Sequence, residues 1–490
     1  MKVIIAYPPL ENQKGRPTLG QNRQFQYFKE PTYIYPVVPA QAATLLKNAG
    51  HEVIWLDCIA EGIAYERFIE IVKEKEPDII AFETKTPVVK QHWRIINGLK
   101  NLRTTNYGLR TILFGDHVTA LPEESFEKSQ VDFVLTGGDY DFLLLSLCNY
   151  LSRSCELRAT SSILEPGIYY RDGHEVKNTG KFELNHNLNS LPFIDRDLTR
   201  WKFYAYNSGN YKRTPGTYIM SGRDCWWGKC SFCSWTLLYP SFRVRSVENV
   251  LDEISMLVQN YNIREIMDDT GSFPIGDWLR DFCRGVIKRG LNKSLYIDCN
   301  MRFGALSRED FLMMKEASFR LVLFGLESAN QKTLDRINKN LTVERIIEDC
   351  KTASAAGLSP HITVMFGYPW ETYEEASKTA NLGKWLLKKG YASTLQVSLV
   401  IPYPGSPLFQ ESRDEGWLKT LDWDEYDMKM PVMYSPIPKD KIMELVQDTY
   451  KVSFSPEFIL KKVSQISDID GLKYSLRAAK KVIGHIFDFR

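Results

Sequence analysis

Three cysteines, Cys225, Cys230 and Cys233, are the strongest chemical signal in the chain, and they lie within nine residues in the sequence SGRDCWWGKCSFCSW. Three thiolates at this spacing can bind three corners of one iron–sulfur cluster and leave the fourth iron without a protein ligand. An open iron is what a cluster needs if a small molecule is to chelate it. The spacing therefore indicates a cluster that works together with a bound small molecule.

Zinc is the alternative chemistry for the same cysteines. A structural zinc site favours four protein ligands, commonly in two separated pairs. In sequence the closest histidines are His186 and His361, both far from the cysteines. A third interpretation, three packed core cysteines, fits poorly with the intervening Gly228, Lys229 and Ser231. The cysteines alone favour a cluster and leave zinc open.

Composition describes the protein that must carry this chemistry. The chain has 490 residues, 44% hydrophobic and 25% charged, which predicts a globular protein of two or three domains. A net charge of +2 gives no reason to expect a nucleic-acid partner. No apolar run reaches the roughly 20 residues of a membrane span, and the opening MKVIIAYPPL predicts a buried strand rather than a signal peptide. Nine cysteines, an odd number, fit a reducing cytoplasm better than a disulfide framework.

Residues 1–150 alternate strand-like apolar runs with helix-like stretches. This alternation predicts an α/β domain, with a doubly wound, Rossmann-like parallel sheet and helices on both faces. Ligands of such domains lie at the carboxyl ends of the strands. The predicted strands cover 3–9, 53–57, 78–84, 111–116 and 131–138.

The rest of the chain divides into three parts. Residues 151–212 predict a linker with a β-hairpin that turns at Asp172-Gly173. Residues 213–410 resume the alternation in six strand–helix units, which predicts a partial (β/α)6 TIM-like barrel. Residues 411–490 predict a helical region that caps the barrel or shapes its pocket and ends in a basic amphipathic stretch. A packed or solvated helix is the favoured interpretation of that stretch, and peripheral membrane contact is the alternative.

The cysteine segment resembles the cluster motif of the radical S-adenosylmethionine (SAM) superfamily. The usual spacing there is C-x3-C-x2-C with an aromatic residue before the last cysteine, and Phe232 matches that aromatic residue. This chain departs from the pattern by one residue, with C-x4-C-x2-C. The resemblance implies a [4Fe–4S] cluster on Cys225, Cys230 and Cys233, whose open iron is chelated by SAM.

Later barrel segments strengthen this resemblance. MDDTGSF resembles the segment that contacts the SAM amino group, with Asp268 and Asp269 as candidates, and CNMRFG resembles the segment near the ribose and carboxylate, with Arg302. LFGLES resembles a strand in which Glu327 and Ser328 face the cofactor. FGYPWET and IPYPGSPLF resemble the later strand ends. Taken singly, the two aspartates could be a helix cap and Arg302 a surface ion pair.

The first domain resembles the cobalamin-binding domain that precedes many radical SAM enzymes, through segments such as ILFGDHVTALPEE and VDFVLTGGDY. The motif D-x-H-x-x-G is absent, so the sequence assigns no cobalt ligand. On sequence pattern alone a nucleotide-binding or purely structural domain competes with this interpretation. The candidate cofactor-binding residues at the strand ends are Thr84, Gly115, Asp116, His117, Gly137, Gly138 and Asp139.

Together the two resemblances imply methylation of an unactivated carbon in a lipid or natural-product-like substrate, with SAM and cobalamin as cofactors. Cyclisation or rearrangement without methyl transfer is the alternative enzyme, and a non-catalytic cobalamin or iron–sulfur sensor is the alternative class. The expected partners are the substrate and an electron donor such as a flavodoxin or ferredoxin, with no nucleic acid. The sequence identifies no catalytic acid, base or radical-quenching residue; Cys283, Cys299 and Tyr403 are more often packing residues.

Overall fold

The computed structural model describes residues 1–10, 14–17, 27–28, 32–102, 108–153, 164–206, 211–464, 466 and 468–488. Part of the predicted linker, residues 154–163 and 207–210, lies outside the described residues.

A seven-stranded sheet forms the first part of the molecule. Five of its strands are parallel, in the order β2-β1-β3-β4-β5. Connections leave β1 in both directions, and right-handed crossovers therefore place helices on both faces. This confirms the doubly wound α/β fold. The strands are β1 (Lys2–Tyr7), β2 (Glu52–Asp57), β3 (Ile79–Glu83), β4 (Arg110–Phe114) and β5 (Phe133–Leu135).

The predicted hairpin forms β6 (Ile168–Asp172) and β7 (Glu175–Asn178). Strand β6 pairs antiparallel with β5, so the hairpin extends the first sheet. The linker therefore contributes two strands to the first domain and is not only a joint between domains.

Helices cover the apolar faces of the first sheet, whose strands β1 and β3 are buried on both sides. Continuous apolar runs such as VIIAY are typical of strands covered on both faces. The helices of this part are Val37–Asn48, Cys58–Glu61, Tyr65–Lys75, Val89–Lys100, Asp116–Ala120, Glu124–Lys128 and Tyr140–Arg153.

A second sheet has six parallel strands in sequential order, which confirms the predicted six strand–helix units. Sequential order with intervening helices is the geometry of a (β/α) barrel, left open here at six strands. The strands are β8 (Gly216–Ile219), β9 (Glu265–Asp268), β10 (Tyr296–Met301), β11 (Phe319–Glu327), β12 (Ser359–Phe366) and β13 (Thr394–Leu399).

Six of the nine barrel helices described here begin with a side-chain cap. Ser307 and Thr372 each form a capping box with the acidic residue three positions later, and a cap of this kind stabilises a helix by about 1 kcal/mol. The helices are Lys202–Ala205, Trp235–Leu238, Val247–Tyr261, Asp277–Lys288, Arg308–Glu316, Gln331–Arg336, Val343–Ala355, Tyr373–Lys389 and Pro407–Asp414.

The two parts of the carboxyl-terminal region pack against different parts of the molecule. Its first stretch packs against the first domain, where Trp423 Nε1 donates to Glu124 Oε1 at 2.9 Å. Its last helix instead lies where the barrel strands begin, since Arg477 donates to the carbonyl of Tyr211 at 2.8 Å. The predicted cap over the barrel therefore does not include the last helix. The helices are Lys439–Lys451, Pro456–Ser464 and Ile469–Asp488.

Among the described residues, no helix has both the length and the apolar character needed to cross a membrane.

Candidate functional site

The cysteine loop follows β8 and lies between two short antiparallel segments, Gly222–Arg223 before it and Arg243–Val244 after it. None of these three described cysteines forms a disulfide, and all three are half-buried. Within the loop, Cys233 N donates to the carbonyl of Cys230 at 3.2 Å, and Ser231 N donates to the carbonyl of Ile337 at 3.1 Å. The loop is thus anchored to the segment that follows helix Gln331–Arg336.

Cys230 lies in a mixed electrostatic environment. Burial raises the pKa of its thiol to about 11, although the cation of Lys339 acts in the opposite direction. The carboxylate of Glu327 and the other two thiols raise the pKa further. The three cysteines and the pair Glu327–Lys339 therefore belong to one site.

Glu327 ends strand β11 with a φ of 63°, and its Oε1 accepts a hydrogen bond from Lys339 Nζ at 2.8 Å. Both side chains are more than nine-tenths buried. A Cβ at Gly325 would lie 2.1 Å from Glu327 Oε1 and 2.8 Å from Lys339 Nζ. Glycine at that position is therefore required for the pair to form.

Arg302 joins the cysteine loop to the same neighbourhood. Its guanidinium donates to the carbonyls of Lys339 and Asn340 and lies 4.2 Å from the ring centre of Trp227 and 5.6 Å from that of Trp226. Burial lowers its pKa. Arg302 therefore holds the tryptophans of the loop, and its cation is bound by carbonyls and rings.

Asp268 and Asp269 lie at the end of β9, beside the start of the loop. Asp268 is 1% exposed, and its Oδ2 accepts hydrogen bonds from Ser221 N at 2.9 Å and Ser221 Oγ at 2.5 Å. Asp269 N donates to the carbonyl of Ile219 at 2.9 Å. Asp268 thus fixes the end of β8, and Asp269 is the next residue toward the loop.

Ser328 faces away from this group. It is completely buried, and its Oγ donates to Glu371 Oε1 at 2.8 Å and lies 3.3 Å from Thr379 Oγ1. Its neighbours are the FGYPWET segment and the helix that follows it. Phe232, in contrast, lies on the cofactor side, with its ring centre 5.9 Å from Lys339 Nζ.

The second group of predicted residues lies at the carboxyl edge of the first sheet. Thr84 is completely buried, and Gly115, with a φ of 125°, packs so closely that a Cβ there would lie 2.2 Å from the Thr84 carbonyl oxygen. Asp116 accepts a hydrogen bond from His117 N at 2.7 Å. Beside them, Glu83 accepts a hydrogen bond from Tyr7 Oη, and burial raises the pKa of this glutamate.

His117 is fully buried and has protein partners at both ring nitrogens. Nδ1 lies 3.2 Å from Thr86 Oγ1, and Nε2 lies 3.0 Å from Glu124 Oε2. The ring also makes an edge contact with Trp423 at 5.3 Å. These contacts give His117 a position between the first domain and the carboxyl-terminal region.

The space beside Gly137 and Gly138 is occupied by aromatic side chains of the protein itself. A Cβ at Gly138 would lie 1.9 Å from the ring of Tyr239, and one at Gly137 would lie 2.4 Å from the ring of Phe182. Gly138 N donates to the carbonyl of Leu238 at 2.9 Å. These glycines therefore let the barrel and the linker pack against the sheet edge, at positions that the sequence analysis had named as candidates for cofactor binding.

Asp139 lies at the centre of a buried network of charges. It accepts hydrogen bonds from Arg223 at 2.6 Å, Arg243 at 2.6 Å and His186 at 2.9 Å, and Arg223 also pairs with Asp141. Burial alone would raise the pKa of Asp139, but Arg223, His186 and Arg243 together hold it below its usual range. The network joins the first sheet to the residue two positions before Cys225.

The residues present fit the cofactors that the motifs imply. Within the described residues, no hydrogen-bond partner is found for the buried polar atoms Ser231 Oγ, Ser272 Oγ and Trp226 Nε1 around the cysteine loop, or for Thr84 Oγ1 at the sheet edge. Buried polar atoms normally have partners, so these atoms indicate polar ligands at both places. The described residues contain no group of three His, Cys, Asp or Glu side chains arranged for a metal ion.

Comparison with known families identifies the class. Residues 219–383 match the sequence model of the radical SAM superfamily, and residues 32–142 match that of the B12 binding domain. The chain therefore carries a radical SAM domain, preceded by a B12-binding domain. Its cofactors are a [4Fe–4S] cluster with SAM, and cobalamin.

Individual relatives share nearly the whole length of the chain. An uncharacterized methyltransferase of Pyrococcus horikoshii is 27% identical over 94% of this chain and 95% of its own. The anaerobic magnesium-protoporphyrin IX monomethyl ester cyclase of Cereibacter sphaeroides is 25% identical over 84% of this chain and 66% of its own. The methyltransferase TsrM from Kitasatospora setae, solved with cobalamin and a [4Fe–4S] cluster, covers 99% of both chains with a TM-score of 0.68 and 13% identity. It shares the fold.

Several residues of the site gave no signal in the sequence. Lys339 pairs with Glu327 across twelve positions, a separation that matches no helical or strand period. Arg223 and Asp141 are 82 residues apart, and only the docking of the two sheets brings them together. Motif matching identified Glu327 but not Lys339, and Asp139 but neither Arg223 nor Asp141.

Proposed function

We propose that this protein is a cobalamin-dependent radical SAM methyltransferase that methylates an unactivated carbon of a lipid or natural-product-like substrate. The observation that carries the proposal is direct contact between the carboxyl edges of the two sheets. Tyr239, six residues after Cys233, donates to the carbonyl of Gly138 at 3.1 Å. Across the same junction, a Cβ at Gly405 would lie 3.1 Å from Cβ of Ala120. One substrate can therefore reach both cofactors.

We assign the cluster to Cys225, Cys230 and Cys233, and SAM to the surface formed by Asp269, Ser272 and the pair Glu327–Lys339. When bound, the cluster and SAM supply radical chemistry, and cobalamin supplies methyl transfer. The residues of the chain bind and orient: the Ser272 hydroxyl is ready to hydrogen-bond a ligand. The buried Glu327–Lys339 pair presents one fixed anion and one fixed cation to a zwitterion such as the amino acid end of SAM.

Trp226, Trp227 and Phe232 limit the access of water to the loop. Arg302 holds both tryptophans from one side, and Trp227 Nε1 donates to the carbonyl of Asn338 at 2.9 Å. Rings fixed in this way exclude solvent from a reactive centre better than mobile ones do. The exclusion of water is thus a role of these protein side chains and not of the cofactors.

Cyclisation or rearrangement is the second candidate function. Two relatives named as anaerobic cyclases align with 84% and 86% of this chain, which is most of both domains. The same two cofactors would then serve a reaction that transfers no methyl group. The products formed from SAM distinguish the two candidates.

We further propose a low-potential electron donor such as a flavodoxin or ferredoxin, and a cytoplasmic location. None of the described cysteines forms a disulfide, and an oxygen-sensitive cluster needs a reducing compartment.

The decisive experiment is mass spectrometry of SAM products, using anaerobic protein loaded with cluster and cobalamin, a strong reductant and candidate lipid extracts. Methyl transfer predicts S-adenosylhomocysteine together with 5′-deoxyadenosine. Deoxyadenosine alone, formed in the presence of a consumed substrate, would favour cyclisation or rearrangement. If protein with an intact cluster forms neither product, that result would contradict both candidate reactions and favour the sensor.

Cys230→Ala tests the cluster assignment. We expect the variant to lose the reduced-cluster spectrum and all SAM cleavage, because the open-iron geometry needs three thiolates. Cys283→Ala, at a completely buried cysteine of the barrel core, is the matched control and should keep its iron. A full iron content in Cys230→Ala would refute the assignment.

A further inference from the structure

The last two helices of the chain are turned with their apolar side chains outward. Seven large apolar side chains between residues 454 and 476 are exposed, and Leu460 and Ile469 reach 71% and 72%. Along the last helix, Ile469, Leu472 and Leu476 follow the three- and four-residue spacing that places them on one face. The seven exposed side chains, here called the outer apolar face, are Phe454, Ile459, Leu460, Val463, Ile469, Leu472 and Leu476.

Three other side chains of the last helix, Asp470, Tyr474 and Arg477, point inward instead. Asp470 pairs with Arg264 at 2.7 Å, Arg477 donates to the carbonyl of Tyr211 at 2.8 Å, and the Tyr474 ring lies 5.5 Å from the guanidinium of Arg320. A surface helix of a globular protein normally buries its apolar face. This helix is held in the reverse orientation by specific polar contacts.

The preceding helix, Pro456–Ser464, repeats the reversal. Lys461 donates to the carbonyl of Lys389, and Lys462 is buried enough that its pKa falls to about 8. Its neighbours Ile459, Leu460 and Val463 are 45%, 71% and 59% exposed. Two consecutive helices thus turn polar side chains toward the protein and apolar side chains toward solvent.

Cations lie among the exposed leucines. Lys473 and Lys480 are exposed on the same side of the helix as Leu472 and Leu476, whereas the carboxylate of Asp470 faces the barrel. A second copy of the chain would bring these lysines toward one another, which is unfavourable. An apolar face edged by lysines matches the acyl–headgroup boundary of an anionic bilayer.

We propose that the outer apolar face, together with Lys473 and Lys480, binds the surface of membranes that contain anionic phospholipids. The contact is peripheral, since the described residues include no helix fit to cross a bilayer. Arg264 and Arg320 lie where strands β9 and β11 begin, so this face is at the barrel end opposite the cysteine loop. Binding to a bilayer therefore leaves the cofactor side open. The inference is independent of the reaction that the enzyme performs.

Vesicle flotation of the full-length, cofactor-loaded protein tests the proposal. Vesicles of phosphatidylcholine alone are compared with vesicles of equal parts phosphatidylcholine and phosphatidylglycerol. We expect flotation with the anionic vesicles that weakens as salt is added. Leu472→Ser combined with Leu476→Ser should weaken partitioning about tenfold or more, because two leucines leave the bilayer. Lys473→Glu should weaken it about fivefold or more.

Leu421→Ser is the matched control, since Leu421 is 59% exposed outside the outer apolar face, and it should float like the wild type. Thermal unfolding of each variant confirms that the fold is retained. The proposal is overturned if the wild type does not float with anionic vesicles or if the double serine variant floats equally well. Light scattering that shows a wild-type dimer and a monomeric double variant would assign the face to a second copy and also overturn it.

Discussion

Two ion pairs of the same kind serve different purposes in the two regions of this molecule. At the domain junction, Asp139 and Arg223 are 1% and 4% exposed. At the outer end of the barrel, Asp470 and Arg264 are 28% and 38% exposed. A desolvated pair is costly to break, because one uncompensated charge stays buried, whereas a solvated pair contributes little. The first can hold two domains in one geometry, and the second can only orient a helix.

Arg223→Ala should have the largest effect on stability. It leaves Asp139 and Asp141 buried with their main cation removed, which costs about 3–5 kcal/mol of unfolding free energy. Urea denaturation measures the change. Arg67→Ala, which removes an ion pair on an exposed helix, is the control and should leave the free energy of unfolding nearly unchanged, because solvent screens this pair. If both variants lose the same unfolding free energy, the buried pair at the junction is no more important for stability than an exposed pair.

His186 should contribute less than Arg223 to the unfolding free energy, and its contribution should depend on pH. Burial alone would lower its pKa, but Asp139 and Glu165 raise it to about 9 in the folded protein, above its ordinary value of 6.5. The stabilisation is fully present below pH 6.5 and is lost as the pH rises through about 9. We expect a loss of about 1–2 kcal/mol across this range, measured by denaturation at each pH.

His186→Gln should flatten that part of the profile, because glutamine does not titrate. His174→Gln, at an exposed residue of the hairpin turn, should leave the profile unchanged. If the His186 variant keeps the full decline, the pH dependence originates elsewhere.

Asp470→Asn should have the smallest effect. The pair with Arg264 is partly solvated, so its loss should cost about 0–1 kcal/mol. Denaturation should barely change, whereas limited proteolysis of the last helix should accelerate, because the helix loses one of its inward contacts. A cost above about 3 kcal/mol would mean that this end of the barrel behaves like the junction.

The sequence was sufficient for the elements of both domains, because apolar periodicity is a local property. The strands predicted over 3–9 and 53–57 correspond to Lys2–Tyr7 and Glu52–Asp57. The pairing of the hairpin with β5 was not predicted. That pairing depends on a contact between residues more than thirty positions apart, and turn residues carry no information about it.

The candidate site was predictable in part, for the same physical reason. Motifs identified the residues near the cysteine loop, such as Arg302 and Glu327, but motif identity does not determine where a side chain points. Ser328 lies next to Glu327 but hydrogen-bonds Glu371, because the strand ends at Glu327, where a φ of 63° turns the chain. Likewise, position 138 needs a glycine because the Tyr239 ring leaves no room for a side chain there. Only packing shows which neighbour requires the glycine.

The hairpin also determines which strand lies at the open edge of the first sheet, where another copy of the protein could pair. Without it, β5 would end the first sheet with a row of unpaired backbone groups on an apolar strand, which is a template for aggregation. Strand β6 covers β5 and moves the open edge to β7, a strand of four residues that includes Glu175 and Lys177. A short, charged edge resists pairing with a foreign strand. The segment that joins the two domains thereby also protects the protein from aggregation during folding.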